Sequence, residues 1–338
     1  MHPLLGVDAP ALAANALAWR RHAGVPIRAV VKGDGYGWGY AVLCDALDEV
    51  VDAYCVGDLE ELLALRRHSR KPAIVLSGVS ADRVAEVLSN NGIPTVSTQD
   101  EIASAVRWAR DRGQRPHFRI GLLPSAGWSG LSAVQLEAIA PAIRSSDADV
   151  ELWTHVTDLM AVQEHLRSFD GLVSRARTLG IRVAGTDVSS TAPLAHVGAR
   201  GTSVRIGVGL FGSGKSALPE VTCALRISAP VLRVERHSAG SRVGYGAATL
   251  ERDEELAVAR CGYADGLPQS LAGVDDILSV GMQYLTARMS RCDARHVSVV
   301  LLDGASDLDV FAARAGRTPH EVVTAFGNAS RARANEER

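Results

Sequence analysis

Eight short apolar, β-branched runs alternate with longer amphipathic stretches through the first two thirds of the chain, and this alternation most narrows its fold. The runs are Ile27–Lys32, Ala53–Gly57, Ala73–Gly78, Pro94–Thr98, His117–Gly121, Val150–Val156, Arg182–Val188 and Ser203–Leu210. Between them, Leu59–His68, Ala81–Asn90, Glu101–Arg112, Val134–Ile143 and Met160–Leu179 repeat apolar residues every three or four positions, as helices with one buried face do. Asp58, Ser80 and Thr98 stand at N-cap positions, and Gly92 and Gly180 at helix stops. Strand–helix units in series call for a parallel sheet, and eight strands are the number that closes a (β/α)8 barrel. A doubly wound open sheet is the alternative, but no glycine-rich dinucleotide fingerprint follows the first strand. The predicted class is therefore α/β, with a (β/α)8 barrel over residues 1–215.

After Lys215 the texture changes. Cys223–Val234 alternates apolar and polar residues, and Ala257–Arg260, Leu278–Val280 and Val297–Leu302 are further short strands between turn signals. Residues 216–338 are expected to form a smaller β-rich domain. The last eleven residues, NASRARANEER, read as a polar, mobile tail.

Composition excludes several classes of function. The formal net charge of −2 offers no electrostatic footprint for nucleic acid or an anionic membrane. No apolar run approaches the roughly 20 residues that span a bilayer, and the N-terminus lacks the pattern of a signal peptide. Five scattered cysteines without CxxC spacing argue against a disulfide framework or a metal site, and for buried thiols in a reducing cytoplasm.

Only three of the 36 basic residues are lysines: Lys32, Lys71 and Lys215. A mechanism that uses a lysine amine has only these to choose from. Lys32 closes the first strand and enters a turn containing Gly33, Gly35, Gly37 and Gly39. In a barrel, the C-terminal ends of the strands carry the active site. A lysine emerging there is a candidate amine nucleophile or base, whereas Lys71 beside Pro72 reads as a solvated loop residue. Tyr36 follows among the glycines, placed either to reach a phosphate or simply to pack. Strand seven runs into Ser189, Ser190 and Thr191, and strand eight carries Gly207 and Gly209, where backbone amides can approach an anion. A strand-one lysine with a phosphate cradle after strands seven and eight points to pyridoxal phosphate.

These residues resemble the alanine racemase family, whose members pair an N-terminal barrel with a C-terminal β domain. VVKGDGYGWG (Val30–Gly39) is similar to the family's VVKANAYGHG block, so Lys32 would be the cofactor's covalent anchor and Tyr36 a contact to its phosphate. DLEELLALRR (Asp58–Arg67) and AIVLSGV (Ala73–Val79) resemble the second and third barrel units. WTHVTD (Trp153–Asp158) resembles HFATAD, which places His155 under the pyridine ring. VSSTA (Val188–Ala192) sits at the family's NSAA, giving Ser190 the phosphate-binding position. VRIGVGLFG (Val204–Gly212) resembles VRPGIALYG; Arg205 would face the pyridine nitrogen, and Gly207 and Val208 would give amides to the phosphate. Val243–Pro268 resembles the block supplying the second base, which makes Tyr245 that base, reaching the partner's site, and places Tyr263 at the pocket mouth. The resemblance implies an amino-acid racemase with two bases, Lys32 and Tyr245, working as a homodimer with shared active sites.

One functional unit departs from the family. The carboxylate-anchoring pattern KxDTGMxRxG meets HFRIGLLPSAGWSGLSA (His117–Ala133) here, so Arg119 takes the place of the carbamylated lysine, Gly121 of the acid and Trp128 of the anchoring arginine. An arginine cannot be carbamylated, and an indole cannot pair with a carboxylate. Cys292 matches a methionine whose amide meets the carboxylate, and Asn328 stands nearest the last segment's tyrosine. Arg119, Trp128, Tyr263 and Cys292 are thus the candidate substrate-binding residues. Three readings follow: a racemase using Arg119 or Arg291 for the carboxylate, on alanine or a larger amino acid; a scaffold repurposed for decarboxylation, retro-aldol cleavage or elimination; or a cofactor carrier. A cross-subunit base has no use in a carrier.

Overall fold

The computed structural model describes residues 2–122, 130–156, 160–188, 191, 194–195, 198–244, 248–293, 295 and 297–336. Trp128, Ser190 and Tyr245 lie outside these described residues. The chain forms two compact units, residues 16–33 with 47–207, and residues 1–15 with 34–46 and 208–338. Strand β1 (Leu4–Val7) belongs to the second of these.

The first unit is a (β/α)8 barrel. Its strands are β2 (Ile27–Val30), β3 (Ala53–Val56), β4 (Ala73–Gly78), β5 (Gly92–Thr95), β6 (His117–Gly121), β7 (Asp149–Thr154), β8 (Val183–Val188), the two-residue β9 (Arg200–Gly201) and β10 (Val204–Ile206). They run β10-β2-β3-β4-β5-β6-β7-β8-β9, with β10 parallel to β2 and the pairs from β2 to β8 all parallel. A parallel bridge between Asp187 and Ser203 ties β8 to the residue before β10, while β9 pairs antiparallel with β8 at the rim.

Alternation along the strands sorts their side chains. Phe118, Ile120, Val150 and Leu152 turn outward and pack with Leu136, Ile143, Leu166, Phe169 and Val173 of the covering helices. The intervening positions, Arg119, Glu151 and Trp153, belong to the opposite face. Asp58 accepts from the Glu61 amide at 2.8 Å, and Thr98 forms a capping box with Glu101, as their positions predicted.

Two punctuation signals mean something else. Ser80 lies in a turn ahead of helix Val84–Ser89, whose N-cap is Arg83. Gly92 opens β5, the left-handed stop being Asn91 (φ +54°). A Cβ on Gly92 would meet Val87 Cγ1 at 2.6 Å and Leu62 Cδ2 at 2.7 Å, so close packing accounts for this glycine. The eighth barrel strand is also shorter than expected, giving way after Ile206 to a 3-10 turn over Val208–Phe211.

The second unit is β-rich. β1 pairs with the long β11 (Leu225–His237), Leu4 opposite Ser228. β12 (Arg242–Val243) pairs antiparallel with β13 (Ala248–Thr249). Beyond it lie β14 (Glu254–Ala259), β15 (Ile277–Val280), β16 (Leu285–Arg288) and β17 (Ser298–Leu302), giving a sheet ordered β1-β11-β14-β16-β15 with β17 on β11. The expected polar tail is instead the end of an 18-residue helix, Pro319–Glu336. Val322, Val323 and Phe326 are buried, and Arg331 and Arg333 pair with Asp34 and Asp265. Anchored on one face, the segment has the contacts that a solvated tail lacks. No helix among the described residues is long and apolar enough to cross a membrane, and none of their acidic, histidine and cysteine groups could hold a metal.

Candidate active site

β2 ends at Val30, Val31 remains fully buried, and Lys32 begins the short helix Lys32–Tyr36 with its side chain exposed. The Gly33 amide donates to Glu61 Oε1 at 2.8 Å, and the Gly57 amide to Glu61 Oε2 at 2.7 Å, so one carboxylate braces the turn carrying the lysine. Lys71 donates to the Val51 carbonyl at 2.7 Å, and Lys215 lies 3.4 Å from the Ala305 carbonyl. Among the described residues the Lys32 amine makes no hydrogen bond or ion pair. Of the three lysines, it alone is uncommitted in this sense.

The barrel unit also contains a charged cluster. Arg28, Arg119, Glu151, Asp187 and Arg205 come from β2, β6, β7, β8 and β10. Arg119 is fully buried and Asp187 equally so. Asp187 Oδ2 accepts from Arg119 Nη2 at 2.8 Å and from Arg205 Nε at 2.7 Å. Arg205 Nη2 donates to the Thr154 carbonyl at 2.8 Å. Arg28 pairs with Glu151 through both terminal nitrogens, and His117 Nε2 lies 3.2 Å from the same carboxylate. Trp153 is shared: Arg205 Cζ lies 4.7 Å and Arg119 Cζ 5.4 Å from its ring centroid, within cation–π range.

Burial disfavours charge in such a place, and the cluster shows how that is offset. Desolvation lowers the Arg119 guanidinium to about 10 against the pull of Asp187 and Glu151. For Glu151, burial works against ionisation, but hydrogen bonds from His117 and Arg28 and the charge of Arg119 outweigh it, holding the carboxyl far below the usual range. Burial pushes the neighbouring Cys55 thiol up to about 11, which makes it an inert filler. Arg119 Nε, 3.1 Å from Glu151 Oε2, is an ion-pair contact without hydrogen-bond geometry, and Nη1 has no hydrogen-bond partner among the described residues.

Arg119 thus has two interior acids as its partners. Arg119 and Arg205 share the Asp187 carboxylate. His155 follows β7 and is half-buried, and Gly207 is buried after β10. Arg205 and Lys32 issue from neighbouring strands, β10 lying beside β2 with Arg205 opposite Arg28. The residues fit pyridoxal phosphate: an amine with no competing partner at the strand end, and a buried guanidinium on the adjacent strand.

The second unit holds the remaining candidates. Tyr36 is buried with φ +57°, its ring 5.6 Å from Phe211 and 6.2 Å from His320. Next to it, Gly37 (φ +84°) faces the C-terminal helix so closely that a Cβ would lie 2.5 Å from Asn328 Oδ1. Val208 is buried in its 3-10 turn. Tyr263 is exposed and lines a cavity of about 470 Å³ with Pro268, Gln269, Arg317 and Glu321. Cys292 is half-buried, and beside it Arg291 Nε is buried without a hydrogen-bond partner among the described residues.

Glu151 and Asp187 were not among the site residues read from sequence. Their signal is present nonetheless: acids and arginines inside VELWT, AGTDV, HFRIG and VRIGV, at alternate positions of otherwise apolar strands.

Family comparison meets this geometry. The description “Alanine racemase, N-terminal domain” matches residues 7–215, and “Alanine racemase, C-terminal domain” matches residues 224–334. The chain belongs to the alanine racemase family. It is 28% identical over 322 residues to the alanine racemase of Streptococcus pyogenes serotype M6, covering 88% of this chain and 87% of that one. The alanine racemase of Streptococcus uberis is 27% identical over 336 residues, covering 94% and 89%. Among solved structures, alanine racemase from Acinetobacter baumannii superposes with a TM-score of 0.82 at 19% identity, covering 96% of each chain. The Bartonella henselae enzyme, solved with covalently bound pyridoxal phosphate, gives 0.80 at 19% identity and covers 97% of this chain and 98% of that one. These structures share the fold.

Proposed function

We propose that this pyridoxal-phosphate-dependent racemase of the alanine racemase family inverts a free amino acid with two bases, Lys32 and Tyr245 of the partner subunit. The uncommitted Lys32 amine at the end of β2, beside the strand that carries Arg205, is the observation that supports it best. Residues 1–215 would form the cofactor-binding part and residues 216–338 the β-rich part that supplies the tyrosine. The working unit is then a homodimer in the cytoplasm, with a small-molecule substrate and neither nucleic acid nor membrane as partner.

Lys32 would hold the cofactor covalently, Tyr36, Ser190 and the Gly207 and Val208 amides its phosphate, His155 its ring face and Arg205 its pyridine nitrogen. When bound, pyridoxal phosphate supplies an electron sink for the negative charge left as Cα loses its proton. Lys32 Nζ and the partner's Tyr245 hydroxyl would act on opposite faces of Cα, one taking the proton while the other returns one, with the roles exchanging with direction. The Arg205 guanidinium would disfavour a proton on the ring nitrogen. Trp128, Tyr263 and Cys292 would shape the substrate side. Arg119 being occupied by Asp187 and Glu151, Arg291 is the arginine we assign to the substrate carboxylate, on the strength of its unpartnered Nε beside Cys292.

Deuterium uptake at Cα in heavy water, measured over a panel of L- and D-amino acids, tests this reading. Exchange with loss of optical activity is expected for at least one of them. Release of carbon dioxide or an aldehyde instead would assign the altered carboxylate segment to repurposed chemistry. Tyr245→Phe should slow one stereochemical direction more than the other; equal, slight losses would reduce Tyr245 to packing.

A further inference from the structure

We infer that Asp187 is a positioning residue for this reaction: its single oxygen Oδ2, shared by Arg119 and Arg205, fixes the guanidinium that meets the cofactor. The inference rests on the assignment of Arg205 above and adds to it the residues that hold that arginine in place.

Arg205 could rotate about its long side chain, but two of its nitrogens are committed. Nε donates to Asp187 at 2.7 Å, and Nη2 to the Thr154 carbonyl at 2.8 Å. Bonds from two directions define both the position and the plane of a flat guanidinium, and charge-assisted ones are the stronger kind. Asp187 is held in turn. Its backbone lies on β8, bridged to Ser203 two residues before Arg205, and Arg119 Nη2 donates to the same oxygen at 2.8 Å. Arg119, fully buried, is kept in place by Glu151 at 3.1 Å and by the Trp153 face. The chain of contacts runs Glu151, Arg119, Asp187, Arg205, with no solvated member to take up slack.

Charge explains why two arginines share one acid. The cluster contains three guanidiniums, of Arg28, Arg119 and Arg205, and two carboxylates, of Glu151 and Asp187. Glu151 already serves Arg28, and Asp187 is the acid that accepts from Arg205. An alternative task for Arg119, binding substrate directly, conflicts with its full burial and its acid partners.

The test compares Asp187→Asn, the charge-balanced double variant Asp187→Asn/Arg119→Met, Arg205→Met, and Asp187→Asn in the Arg205→Met background, all as cofactor-loaded full-length protein. Removing one partner of a buried ion pair can unfold a protein, whereas removing both is often tolerated, so the double variant keeps the experiment decisive. Misplacing a group by an ångström can cost about a hundredfold in rate. The Asp187 variants should therefore lose about ten- to a hundredfold in kcat, with KM within about threefold of the parent. The visible circular dichroism of the bound cofactor, without substrate, should change in the same variants.

Action through Arg205 predicts that Asp187→Asn adds almost nothing once Arg205 is methionine, in kcat or in the dichroic band. A purely structural role predicts the same multiplicative loss in both backgrounds, and that result overturns the inference. Parental kcat and dichroism in the folded double variant overturn it as well. If Arg205→Met itself leaves both readouts unchanged, the assignment of Arg205 fails first, and the two failures are told apart.

Discussion

Glu151 takes both terminal nitrogens of Arg28, at 2.5 and 2.9 Å, inside the barrel unit. The pair joins β7 to β2, and its carboxylate also meets His117 and Arg119. The interior of this barrel is thus held partly by ions where an apolar filling is the usual solution.

Stability should therefore depend on pH through Glu151. Its folded pKa is depressed, so the contribution is fully present above the unfolded value of about 4.3 and fades as pH falls toward the folded value. Glu151→Gln removes the carboxylate that Arg28 pairs with, and should cost about 3–5 kcal/mol at neutral pH. Chemical denaturation of parent and variant from pH 7 down to pH ~3 should show that difference narrowing below pH ~4.3. A gap that stays constant, or widens on acidification, would remove Glu151 from this role.

Lys32→Ala should abolish the visible absorbance of covalently bound cofactor and reduce turnover to background, with the fold intact by far-ultraviolet circular dichroism. The side chain is exposed and makes no contact among the described residues that the fold needs. Lys71→Ala, which removes a bond to the Val51 carbonyl, is the matched control and should retain the band. Persistence of the band in Lys32→Ala would transfer the anchoring role elsewhere.

Gly37→Ala should destabilise the second unit. At φ +84° a left-handed alanine costs about 1–2 kcal/mol before any clash is counted. The new Cβ would also press on Asn328 Oδ1 and N, at 2.5 and 2.6 Å. A lowered denaturation midpoint is expected, along with weaker cofactor retention if Tyr36 holds the phosphate. An unchanged midpoint would mean that the helix moves aside freely.

Much of this was legible beforehand, because the signals were local. Strand β6 occupies the predicted residues, and the Asp58 and Thr98 caps lie where their side chains could reach the next amides. Lys32 stands out by chain position and by scarcity. The interior cluster was harder to see: each strand contributes one or two charges, and only closure of the ring brings Arg28 to Glu151, 123 positions away in the chain. The C-terminal helix was hidden for a related reason. Its apolar face is only Val322, Val323 and Phe326, so NASRARANEER looks solvated until Asp34 and Asp265 are seen to receive its arginines.

The interleaving of the two units bears on how the protein can be taken apart. Residues 1–15 and 34–46 belong with 208–338: β1 pairs along β11, Asp34 pairs with Arg331, and Trp38 donates to the Val323 carbonyl at 3.1 Å. A fragment ending at residue 215 would keep every barrel strand, yet it would leave a β-strand edge and a buried indole without their cover. Halves of this chain exchanged with those of a relative at that junction would have to match at three separate stretches. The protein is modular in its outline and indivisible in its threading.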